Sequence, residues 1–220
     1  MKKLVFILLA LLAGIGAEAQ ETLIPISKKE RKIISHSKEL KLYDEEIKRL
    51  LIPAATEFGM ICKPSLSREF SLTYDPIAQA LVYIEADESI WGGANTREYW
   101  DESLSKTVIE EKTSYHAPGT NMYTLPISDE MAKSLKRLWK VAINQAKPMD
   151  QNILDGTGWE YFIGKKRAKI QVGGEGGKGK VGSLINLCIE LREAVRKNDP
   201  QKMESLYPKV DSLYQVFEKK

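Results

Sequence analysis

Hydrophobic and polar positions along the chain change period several times, and each change marks an element. Ile33, Leu40, Tyr43, Ile47 and Leu50 recur at helical spacing, which predicts an amphipathic helix that docks one stripe and ends before Pro53. Ser27-Lys28-Lys29-Glu30 has the form of a capping box and is expected to open it. After Pro64 the period becomes two: Phe70, Leu72 and Tyr74 alternate with Glu69, Ser71 and Thr73, the pattern of a half-buried strand. Asp75-Pro76 turns the chain, and Ala80 to Ala86 reads as a returning strand buried more completely. A polar, aromatic loop is expected from about Asp87 to Asp101. Thr107 to Tyr115 and Asn121 to Leu125 then suggest a second hairpin about Pro118-Gly119.

Helical spacing returns at Met131, Leu135, Leu138, Trp139 and Ala142, behind a Ser128 cap with Asp129 and Glu130 in the first turn. Trp159 to Ile163 and Ala168 to Val172 flank Gly164-Lys165-Lys166, a hairpin signal. Two helices follow, one with Leu184, Leu187, Cys188, Leu191 and Val195 on its face and one with Met203, Leu206, Val210, Leu213 and Phe217. Asn198-Asp199-Pro200 separates them. The order predicts an α+β fold: a mainly antiparallel sheet of about six strands with an N-terminal helix, a middle helix and two C-terminal helices.

The N-terminus adds an address. Lys2 and Lys3 precede an apolar stretch from Leu4 to Ile15, and Ala17-Glu18-Ala19 closes it, the three parts of a bacterial signal peptide. Residues 1–19 are therefore expected to be removed, leaving 20–220 as a single α+β domain in the periplasm or outside the cell, with no membrane span after cleavage. The 33 Lys and Arg stand against 30 Asp and Glu; without Lys2, Lys3 and Glu18 the formal charge is +2. So near-neutral a chain lacks the basic excess of a nucleic-acid binder, and no nucleic-acid partner is expected. Cys62 and Cys188 lack the Cys-x-x-Cys spacing of a redox pair. In an oxidising compartment they either form a disulfide or remain two buried thiols, and the sequence leaves both open.

Candidate chemistry is sparse. Gly177-x-Gly179-x-x-Gly182 matches a dinucleotide fingerprint formally, and Gly174-x-x-x-x-Gly179-Lys180 nearly matches a phosphate loop. The first lacks its parallel βαβ context and the second has Val181 where magnesium needs a hydroxyl, so the segment is expected to be a mobile loop and no cofactor is expected. Asp150-x-Asn152-x-x-Asp155 fails the spacing of a calcium loop, and His36 and His116 have no metal partner at ligand spacing, so no metal is expected either. His116, beside Pro118-Gly119, is the one exposed general base that the pattern offers.

The segment 90–101 concentrates large aromatics around an arginine. Trp91, Arg97, Tyr99 and Trp100 are the candidate ligand-binding residues, because such a mix makes a stacking surface with directed hydrogen bonds. The opposing reading tucks Trp91 and Trp100 under the loop as a small core. The function expected from these features is an exported noncatalytic binding or interaction module, with a glycan, a peptide or an envelope protein as partner. The alternative is an envelope or secreted hydrolase whose catalytic set the sequence does not identify.

Overall fold

The computed structural model describes residues 21–26, 32, 36–65, 67–91, 97–101, 103, 105–110, 117–149, 156–173 and 178–219, with only the backbone of 97–101 and 106–110. Seven strands form one antiparallel sheet: β1 (Ile24–Pro25), β2 (Phe58–Pro64), β3 (Phe70–Asp75), β4 (Ala80–Ala86), β7 (Thr120–Pro126), β8 (Thr157–Ile163) and β9 (Lys166–Val172). Their order across the sheet is β1-β9-β8-β2-β3-β4-β7. The remaining two, β5 (Arg97–Asp101) and β6 (Lys106–Glu110), pair only with each other. The helices are α1 (Lys38–Leu51), α2 (Asp129–Asn144), α3 (Gly179–Arg196), α4 (Pro200–Ser205) and α5 (Tyr207–Glu218). The class is the α+β antiparallel architecture that the periodicity predicts, with one strand more in the main sheet.

Local chemistry sets the helix ends. Ser128 Oγ accepts from the Met131 N–H, and Asp199 accepts from the Lys202 N–H with Pro200 in the first turn. Ser37 caps α1, accepting from Leu40 N–H at 3.2 Å, while the expected start at Ser27 lies outside the described residues. Gly164 adopts φ +54° as the first residue of the two-residue β8–β9 turn, a conformation that favours glycine.

One sheet face carries the main core. Phe58, Met60, Leu72, Tyr74, Trp159, Tyr161 and Ile170 pack beneath α2 and α3, with α4 and α5 closing the outside. Every position expected to face inward on the middle and C-terminal helices is buried. Trp139 locks α2 to the central strand, its indole N–H donating to the Gly59 carbonyl at 2.9 Å in a buried setting. Opposite that carbonyl's strand neighbour, a Cβ on Gly59 would come within 2.7 Å of Leu72 O and 2.8 Å of Thr73 Cγ2, so only glycine fits there.

Three expectations are corrected. The strand β2 falls in a stretch for which periodicity suggested no element, because a strand buried on both faces has a continuous apolar run and no alternation. Glu69, Ser71 and Thr73 are buried rather than solvated, since α1 covers that face by setting Ile47 and Leu51 on Ile61, Val82, Ile84 and Phe162. The second hairpin is also wired differently. β7 pairs with β4, opposing Leu125 to Leu81 and stacking Tyr123 on Tyr83 at 5.6 Å, while β6 pairs with β5 inside the stretch expected to be loop. Apolar cross-strand pairs on the main sheet outweigh the shorter connection that a local hairpin offers.

Cys62 and Cys188 are both buried in the main core as thiols, with no disulfide between them. Cys188 Sγ lies 3.8 Å from the Tyr161 hydroxyl, and burial pushes its thiol up to about 12. Native protein treated with iodoacetamide at pH 8 is therefore expected to stay unmodified, whereas unreduced protein in denaturant takes up two equivalents. Uptake that requires prior reduction would contradict the free-thiol core.

Candidate functional site

Buried polar groups fall into two sets, distinguished by whether their hydrogen bonds are met. The set beneath α1 is met. Glu69 is fully buried, and its carboxylate accepts from the Ile90 N–H at 2.7 Å, the Trp91 N–H at 3.0 Å and the Tyr43 hydroxyl at 3.0 Å. Burial, then the Glu69 charge, pushes the Tyr43 phenol well up, so it stays protonated and donates. Further along the same face Glu160 takes Lys63 at 2.9 Å and Arg167 at 2.6 Å on its two oxygens. Burial pushes this carboxyl up, and the two cations outweigh burial and hold it below the usual carboxylate range. Networks so fully engaged hold a structure together.

The second set lies on the opposite face and is not met. A cleft of about 300 Å³ opens between the β2–β3 connection, β4, β8 and α3. Strand register builds its floor. Cys62 pairs with Phe70 on one side and Trp159 on the other, and Phe70 pairs in turn with Glu85, so these four form one row across the sheet. Phe70 and Trp159 meet edge to face at 5.9 Å, and Tyr83 closes on Phe70 at 5.7 Å. Arg192 and Arg196, one helical turn apart on α3, and Arg68 from the β2–β3 connection form the walls. The Arg192 guanidinium lies 5.0 Å from the Phe70 ring centre.

Two buried donors on residues that line this cleft have no acceptor among the described residues: the Trp159 indole N–H and the Arg192 Nε–H. Trp159 is only 3% exposed. A buried donor left unmade costs about 1–3 kcal/mol, so the fold carries an unmet demand for an acceptor here. The acceptor already present, Glu85, is engaged by the Tyr83 hydroxyl at 2.5 Å. Burial and this carboxylate push the Tyr83 phenol up, with Arg192 and Arg196 opposing part of the effect. The residues that line the cleft thus bring together three cations, one carboxylate and two N–H groups unmet among the described residues. A third atom unmet among the described residues, Thr56 Oγ1, borders a separate cleft beside Lys48 and Arg167, which pair with Asp44 and Glu160 as Arg192 and Arg196 pair with Glu193; that cleft holds a single such group.

Of the residues that the sequence singled out, Trp91 is half-buried, its ring edge-on to Tyr43 at 5.1 Å and its backbone tied to Glu69. Arg97, Tyr99 and Trp100 lie on β5, opposite Glu110, Val108 and Thr107 of β6; their side chains lie outside the described residues. So do His116, residues 150–155 and 174–177. His36 sits on an exposed helical turn against the Lys32 carbonyl. Sequence reasoning missed Arg68, Arg192 and Arg196. The i,i+4 spacing of Arg192 and Arg196 beside the apolar stripe of α3 was the available signal; nothing in the sequence ties it to Trp159.

No known protein family, curated protein or solved structure matches the chain. The polar system beneath α1 generates a stability test. Glu160→Gln is expected to cost about 1–3 kcal/mol at neutral pH, because it removes the charge that Lys63 and Arg167 share. A carboxyl held low in the fold contributes stability above its ordinary value of 4.5 and loses it as pH falls through the lowered one. Chemical denaturation of both proteins should show their difference shrinking below about pH 4.5; a difference that grows in acid would contradict the assignment.

Proposed function

We propose that the chain is an exported, noncatalytic binding protein of the bacterial periplasm or exterior, and that its ligand enters the cleft walled by Arg68, Arg192 and Arg196. The observation that carries this reading is the buried Trp159 indole N–H, unmet among the described residues in a cleft that also holds the unmet Nε–H of Arg192. Folded proteins leave few such groups unsatisfied, and those they leave call for a specific explanation. A ligand acceptor supplies it. The cleft is of the size at which small-molecule sites begin, about 300 Å³.

Two further observations support the reading. The chemistry concentrated in the cleft is donation and positive charge, suited to holding a ligand rather than splitting one. Among the described residues no helix is long and apolar enough to cross a membrane; the expectation of export rests on the signal-peptide pattern of the first residues. Trp91, by contrast, spends its ring on Tyr43, which favours the cleft over the aromatic segment as the ligand site.

Thermal-shift screening of a library of small metabolites, peptides and glycans tests this directly. Compounds that raise the melting temperature of the wild-type chain are expected to lose most of that effect in Trp159→Phe, which keeps a ring and deletes the donor. They should also be recovered chemically unchanged after long incubation. Hits indifferent to Trp159→Phe would move the site elsewhere, and hits consumed during incubation would replace binding with catalysis.

A further inference from the structure

The same cleft constrains the chemical class of its ligand, and the inference rests on the cleft being the binding site. Its cations do not stand alone. Glu85 lies in the floor row beside Phe70, and its carboxylate holds the Tyr83 hydroxyl. Glu193 stands beside the same arginines, 3.0 Å from Arg192 and 4.0 Å from Arg196, so a ligand group drawn in by Arg68, Arg192 and Arg196 meets three cations and two carboxylates. The forked N–H groups of the arginines match the two oxygens of a planar carboxylate.

The donors and the floor agree with this. Arg192 has its Nε–H unmet and buried while its terminal Nη2 donates to Glu193 at 3.0 Å. The guanidinium is thus held over Phe70 with one edge committed and Nε left for a ligand oxygen. The Trp159 indole N–H is a second donor, unmet among the described residues, on a residue that lines the same cleft. Behind these donors the floor is aromatic, made by Phe70, Tyr83 and Trp159, and Ile189 adds an aliphatic flank. An apolar ligand body completes the burial that the aromatic floor offers.

We propose that the cleft binds a carboxylate carried on an apolar body of about amino-acid size, the carboxylate received by Arg192 and Trp159 and drawn in by Arg68 and Arg196. Phenylacetate and phenylacetamide test the proposal, because they share a body and differ in charge. Calorimetric titration of the full mature chain should give saturable binding of phenylacetate. Phenylacetamide should bind about ten-fold more weakly or worse, the loss expected when a charge-assisted hydrogen bond is removed, and inorganic phosphate, which brings charge but no apolar body for the aromatic floor, should also bind more weakly than phenylacetate. Arg192→Gln should weaken phenylacetate by a similar factor. If that variant is destabilised through its packing on Phe70, the exposed pair Arg68→Gln and Arg196→Gln serves instead, and raised salt should weaken wild-type binding in parallel.

The contrary outcomes separate the two claims. Equal binding of acid and amide, both lost in Trp159→Phe, would overturn the carboxylate class while leaving the cleft as the site. Preference for phosphate would do the same. Absence of phenylacetate binding, or binding unchanged by every arginine variant, would overturn the proposal outright.

Discussion

Strand β2 has a partner on each side, and the two registers it holds fix where every other side chain of the sheet points. Opposite Cys62 they set Phe70 and Trp159 on the helix-covered face; opposite Ile61 they set Ser71 and Glu160 on the face beneath α1. A slip of one residue would exchange the two faces. It would place Glu69 and Glu160 in the apolar core and Phe70 and Trp159 against the polar network beneath α1. Trp139 guards the register from α2 by donating to the Gly59 carbonyl, and Gly59 guards it from within by tolerating the close approach of β3. The cleft is a consequence of this constraint. Its floor is one row of the sheet, read across β8, β2, β3 and β4.

The two faces use polar groups to opposite ends. Under α1, Glu69 ties together Tyr43 on the helix and the backbone at Ile90 and Trp91, so a carboxylate that is costly to bury becomes a junction between three segments. Glu160 does the same for Lys63 of β2 and Arg167 of β9. On the helix-covered face the demand runs the other way. Arg192 and Trp159 are held in place by packing, against Phe70 in both cases, yet each keeps a donor unmade among the described residues. Rigid groups with unmet valence are what a preorganised receptor requires, because little ordering remains to oppose binding.

Much of the scaffold was legible in the sequence. The inward stripes of α2, α3, α4 and α5, the Ser128 cap and the glycine turn before β9 follow from period, capping and φ preference, all of which act within a few residues. What escaped depends on contacts distant in the chain. Phe58 to Cys62 is uniformly apolar because α1 and α2 cover both its faces, and no alternation survives to reveal a strand. Glu69, Ser71 and Thr73 look solvent-facing for the same reason, until α1 is docked on them. The candidate site escaped more completely. Its row joins residues 62, 70, 85 and 159 through sheet pairing, and the aromatic cluster near Trp91 is the louder signal only when neighbours along the chain are counted.

The central claim is that the buried indole N–H of Trp159 waits for an acceptor that a ligand brings. The chain has four tryptophans, so nitrogen-15 labelling gives four indole resonances, and Trp159→Phe identifies the one of interest by its disappearance. On titration with phenylacetate that resonance is predicted to move downfield and saturate, and its exchange with solvent to slow, while the Trp139 resonance stays where its bond to Gly59 holds it. A Trp159 resonance that is unmoved while the ligand binds would contradict the account.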